Sequence, residues 1–140
     1  MYIQCGRIVP TKAPELGCNL YGGEFEDESF QIKHTDVGML GMCKRNGLKH
    51  TNESQFYITT GAPLTFLDSQ NVVFGRVIQG MRAFKLIEKL ETTNEKPNDP
   101  VKITKAGSYN KWTSRFAVLF KCFLKTVKFF KSFYKFNLQT

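Results

Sequence analysis

A mainly β fold carrying one helix is what this chain predicts, and two observations carry that prediction. Runs rich in Val, Ile, Phe and Thr, bounded by turn residues, recur near 36–43, 54–60, 71–78 and 101–106. Between the last two runs, Met81–Leu90 changes to a helical period: Met81, Phe84, Ile87 and Leu90 recur at three-residue intervals beside Ala83 and Leu86. Arg82, Lys85, Glu88 and Lys89 take the other side. Gly80 precedes this helix, and Thr92, Thr93 and Asn94 followed by Pro97 close it. Residues 10–23 hold two prolines and three glycines and read as an irregular surface loop.

The run 51–75, TNESQFYITTGAPLTFLDSQNVVFG, is the most informative. Gln55 and Tyr57 stand two apart on a strand and leave the same face, whereas Phe56 and Ile58 leave the other and read as core. Pro63 and the pair Phe66 and Leu67 follow in a loop, before a strand through Val72, Val73, Phe74 and Gly75. A strand face bearing an amide and a ring, with a second ring delivered from a loop, predicts a groove for an extended peptide.

Size and charge bound the remaining options. With 140 residues, 41% of them hydrophobic, the chain can bury one modest core. The net charge of +8 is uneven: residues 1–110 hold 13 Lys/Arg against 12 Asp/Glu, and residues 111–140 hold seven basic residues and no acid. Attraction to anionic partners therefore belongs to the tail. Cys5, Cys18, Cys43 and Cys122 are irregularly spaced, and His34 and His50 stand alone in the sequence. That pattern argues against structural zinc and a disulfide framework, and for reduced thiols in a cytoplasmic setting. No cofactor or metal is expected. The first ten residues lack a signal-peptide pattern, and no run reaches the ~18 apolar residues of a membrane span.

Residues 51–75, together with 21–30 (YGGEFEDESF) and 37–42 (VGMLGM), resemble the cyclophilin family of peptidyl-prolyl cis-trans isomerases over about Tyr2–Tyr109. The divergent motifs resemble its isomerase-like, inactive branch more than its abundant cytosolic members. The resemblance implies a cyclophilin-like antiparallel β-barrel, incomplete because the chain begins partway into the family's fold, with the opening strands and first helix missing. It implies a partial domain at 1–109 and a separate tail at 110–140.

The resemblance also implies site residues. Gln4 matches one groove glutamine and Gln55 a second, while Tyr57 matches the phenylalanine that floors the proline slot and adds a hydroxyl needing a partner. Tyr2 stands in place of a large apolar groove residue. Met42 keeps its place, whereas Cys43 and Lys44 replace an alanine-asparagine pair. Phe66 replaces a tryptophan ahead of Leu67 and Asp68, and Asn71 stands where a histidine is usual. The family's catalytic arginine would precede Met1; Arg7 is near in sequence without being an obvious substitute. The expected function is thus binding of X-Pro segments in proteins or peptides by a monomer, with catalysis impaired or lost. An active isomerase in a longer form of the chain and a non-catalytic module or fragment are the alternatives.

The tail changes character. Lys121, Lys125, Lys128, Lys131 and Lys135 recur at spacings of four and three, with Phe120, Phe123, Leu124, Val127, Phe130 and Tyr134 mainly opposite. This pattern predicts a basic amphipathic helix suited to an anionic membrane surface or an acidic protein. No base-reading motif accompanies it, so no specific nucleic acid is expected.

Overall fold

The computed structural model describes residues 1–7, 23–61, 63–108, 117–122 and 133–139. The chain forms two compact units, Met1–Phe74 and Gly75–Thr140. It is mainly β with one α-helix, and its paired strands are antiparallel.

In the first unit, β1 (Tyr2–Cys5), β2 (Met39–Lys44) and β3 (Asn52–Thr59) form a sheet with β3 in the centre. Tyr2 pairs with Thr59 and Gln4 with Tyr57 on one side, while Leu40 pairs with Ile58 and Gly41 with Tyr57 on the other. The apolar positions expected at 36–43 and 54–60 supply the core: Leu40 and Ile58 are fully buried, alongside Met39 and Met42. Phe56 meets Phe74 edge-on, with centroids 6.3 Å apart. Thr59 adds a polar fastening, its hydroxyl donating to the Asp36 carbonyl at 2.8 Å and accepting from Met39 N–H at 2.9 Å. The register between β2 and β3 shifts between Met42 and Lys44. There β2 advances two residues, from Met42 to Lys44, while β3 advances four, from Phe56 to Asn52, so the irregularity falls at Glu53–Gln55 of β3 and re-aims side chains beside the site described below.

The segment before β2 is tied down by a buried ion pair. Lys44 Nζ lies 2.7 Å from Asp27, and the two side chains are 3% and 1% exposed. Asp27 also accepts from Asn52 Nδ2 at 2.9 Å and from His50 N–H at 3.0 Å. Burial by itself would raise the Asp27 carboxyl, but these donors and the ammonium charge outweigh it and hold it below its ordinary value. His50, isolated in sequence, thereby finds an acidic partner.

In the second unit, β4 (Val73–Gln79) pairs from Gly75 onward with β8 (Ala117–Cys122), which pairs with β9 (Phe133–Gln139), and β9 with β7 (Lys102–Ser108). Helix α1 runs Met81–Ile87, entered through Gly80 at φ 95°, a left-handed value that suits glycine. Phe84 is its buried residue, but Leu86, grouped with the apolar stripe in sequence, is 58% exposed. Glu88–Leu90 leave the helix through a turn in which Lys89 and Leu90 N–H groups bond carbonyls three residues back. A short hairpin follows, with β5 (Thr92–Thr93) against β6 (Lys96–Pro97) and Asn94 and Glu95 at positive φ between them.

The amphipathic helix expected across 120–135 falls largely on residues outside those described. At its two ends, Phe120 and Lys121 lie on β8, and Tyr134 and Lys135 on β9, where Phe120 pairs with Tyr134. Val, Leu, Phe and Tyr favour a pleated strand as readily as a helix face. Among the described residues no helix is long and apolar enough to cross a membrane.

Two outcomes test this packing. A Cβ at Gly41 would overlap the Tyr57 ring, so Gly41→Ala is expected to lose about 1–3 kcal/mol, read by denaturant unfolding. Asp27 has a folded pKa below its unfolded value, so its contribution is complete above about pH 4 and disappears as pH falls through the folded value. Asp27→Asn strands a buried ammonium and is expected to lose about 3–5 kcal/mol at pH 6. Between pH 5 and 2 its stability should fall less steeply than that of the parent, measured by urea titration at each pH.

Candidate functional site

Tyr57 organises a groove on one face of the first unit. Its cross-strand neighbour Gly41 has no side chain, so the ring lies over that gap. Leu64 and Leu67 bury themselves against it, with Cys43 packed alongside. The hydroxyl lies 2.7 Å from Nε2 of His34, whose Nδ1 lies 2.8 Å from the Asp68 carboxylate. Asp68 accepts from His34 main-chain N–H at 2.8 Å as well.

The proton positions follow from these contacts. Burial would raise the Asp68 carboxyl, but the His34 main-chain and ring donors, with the charge of Lys33, outweigh it and hold it low. An ionised Asp68 keeps a proton on Nδ1, leaving Nε2 to accept from the tyrosine. Burial above all, then Cys43, Tyr2 and Asp68, pushes the Tyr57 phenol far above its ordinary value. Tyr57 is therefore a neutral, anchored donor rather than a reactive group.

An open groove of about 200 Å³ lies over this ring, lined by Tyr2, Gln4, Cys43, Lys44, Gly47, Tyr57, Leu67 and Asn71. Tyr2 meets Tyr57 at 5.1 Å between centroids. Gln4 donates through Nε2 to Oε1 of Gln55 at 2.9 Å, so the two glutamines meet across adjacent strands. Gln55 lines an adjoining pocket shared with Gln4, Cys43 and Lys44. Asn71 Nδ2 donates to the Met42 carbonyl at 2.8 Å, and Met42 N–H donates to Val72 carbonyl at 2.9 Å.

Six of the nine expected residues therefore line the groove, and Gln55 lines its neighbour. Met42 and Phe66 line neither. Strand alternation puts the Met42 side chain opposite Cys43, in the core at 5% exposure, so it serves through its main chain. The 3₁₀ turn Thr65–Leu67 turns Leu67 inward and leaves Phe66 61% exposed. Lys44 lines the groove, but its ammonium is held by Asp27 and its side chain is almost wholly buried. Arg7 lines neither pocket. Burial pushes the Cys43 thiol up to about 12, so it presents a protonated, weakly nucleophilic wall.

Sequence reasoning missed His34 as part of this site. The polar tip of Tyr57 was the available signal, since a buried hydroxyl demands a partner.

Residues 1–108 match the family described as Cyclophilin type peptidyl-prolyl cis-trans isomerase/CLD. The chain is similar to human "Probable inactive peptidyl-prolyl cis-trans isomerase-like 6", at 42% identity over 76% of this chain and 33% of that protein. It is similar to Saccharomyces cerevisiae "Peptidyl-prolyl cis-trans isomerase B", at 43% identity over 66% of this chain and 45% of that one. Caenorhabditis elegans "Peptidyl-prolyl cis-trans isomerase 11" matches at 43% identity over 64% of this chain and 48% of that one. The chain thus spans a third to about half the length of these relatives. The match over residues 1–108, more than three-quarters of the chain, makes this chain a member of the cyclophilin-type peptidyl-prolyl cis-trans isomerase family.

Proposed function

We propose that this chain binds extended, proline-containing segments of peptides or proteins in the Tyr57 groove, with X-Pro isomerisation impaired. The observation that carries this reading is what the groove offers a ligand: a fixed aromatic floor, neutral amides at Gln4, Gln55 and Asn71, and, among the described residues, no uncommitted cation in its lining. A proline ring is apolar and flat enough to sit on the Tyr57–Leu67 floor, and glutamine amides can bond the main chain on either side.

Turnover asks for more. Rotation about an amide faces a barrier of about 18–20 kcal/mol, and an enzyme lowers it only with interactions stronger in the twisted state than in the planar one. A charged donor near the prolyl nitrogen is the family's means of doing so. The cation lining this groove, Lys44, already serves Asp27 at 2.7 Å, and Tyr57 already serves His34. Lack of one preorganised donor is worth about 2.7–4 kcal/mol, a factor of ~10²–10³ in rate. The human relative's name, which contains "inactive", agrees with this direction.

A second reading is an active isomerase, favoured by 43% identity to a yeast protein named for that activity. One experiment separates the two. The ¹⁵N-labelled chain is titrated with a short Ala-Ala-Pro-Phe peptide, and its rate is measured in a protease-coupled proline assay beside yeast isomerase B. The binding reading expects saturable shifts at Gln4, Gln55 and Tyr57, and a rate at least ~10² below the yeast protein. Equal rates select the enzyme, and absence of shifts rejects both.

A further inference from the structure

We propose that Glu53 makes the pocket beside the Tyr57 groove a selector for a basic side chain, so that bound X-Pro segments carry a lysine or arginine near the proline. This rests on the peptide-binding reading above and adds a sequence preference to it.

The placement follows from strand geometry. Glu53 and Gln55 lie on the stretch of β3 where its register with β2 shifts, four and two residues before Tyr57, and both line one pocket. Tyr57 floors the groove, Gln55 and Glu53 line the adjoining pocket of about 180 Å³, and Gln4, Cys43 and Lys44 border both. Four residues of strand span roughly 13 Å, so a long side chain roughly two to four residues from a bound proline reaches Glu53.

The charge of that pocket is not what its composition suggests. It is lined by two cations and one acid, yet both cations are already neutralised. Lys44 is held by Asp27 at 2.7 Å, with both side chains buried. Arg45 reaches away to Glu24, at 2.8 and 3.0 Å from its two oxygens. Thr51 is satisfied as well, accepting from Arg45 main-chain N–H and donating to the Leu48 carbonyl. Among the described residues, Glu53 has no hydrogen-bond or ion-pair partner, and it is half-buried. The unmatched charge is therefore a carboxylate, set beside the Gln4–Gln55 amides that would hold a peptide main chain. A guanidinium or ammonium answers it; an acidic side chain is repelled.

The test uses the full chain and two fluorescein-labelled peptides of equal length, identical except for arginine or glutamate three residues before the X-Pro pair. Fluorescence anisotropy is expected to show the arginine peptide binding about three- to tenfold tighter at low salt, with the gap narrowing as salt rises. Glu53→Gln should bring the two affinities together and Glu53→Lys should reverse their order. If both peptides bind the parent chain equally, the Glu53 inference falls and the groove reading stands. If neither binds, both fall. A gap that persists in Glu53→Gln also overturns the assignment, because the discrimination then comes from another charge.

Discussion

The groove exists because one aromatic ring cannot move. Tyr57 is covered by Leu64 and Leu67 at the side, lies over the missing side chain of Gly41, and is tethered at its tip by His34. Each restraint comes from a different stretch of chain. A buried hydroxyl left without a partner costs about 1–3 kcal/mol, so the His34–Asp68 relay decides whether the ring stays where a ligand would find it. Gln55 takes its place from the same strand two residues away, and Gln4 from the residue opposite Tyr57. The geometry of the site is thus the geometry of β3.

Charge distribution gives the second constraint. Every cation that lines the two pockets is matched by an acid from residues 24–27, at distances of 2.7–2.8 Å. The Tyr57 groove itself is consequently soft, with amides, a phenol ring and a protonated thiol, and the Glu53 carboxylate lies in the adjoining pocket. Neutral groups of this kind offer little with which to polarise a bond. Family membership and weak catalysis are therefore compatible, because the fold supplies the floor while the chemistry depends on a few added groups.

Local pattern made much of the fold legible. The strands expected near 36–43, 54–60, 71–78 and 101–106 are found at Met39–Lys44, Asn52–Thr59, Val73–Gln79 and Lys102–Ser108. The helix starts at Met81 as its period requires. What a single sequence hides is pairing at a distance. His34 and Asp68 are 34 residues apart and Lys44 and Asp27 are 17 apart, and no spacing rule connects them. Tyr2–Cys5 is short and mixed in polarity, so only its partner β3 reveals it as a strand. Phe66 and Met42 show the opposite failure: their residue types suit a groove, but a 3₁₀ turn and strand parity point them elsewhere.

The Lys44–Asp27 contact also limits how this sequence can drift over time. Both groups sit almost wholly out of water, so losing either one abandons an ion in the interior. Only a coordinated change, such as exchanging both for apolar residues, avoids that intermediate. Replacing Lys44 by itself on the groove wall therefore costs stability through a residue in the segment before β2, whatever the groove binds.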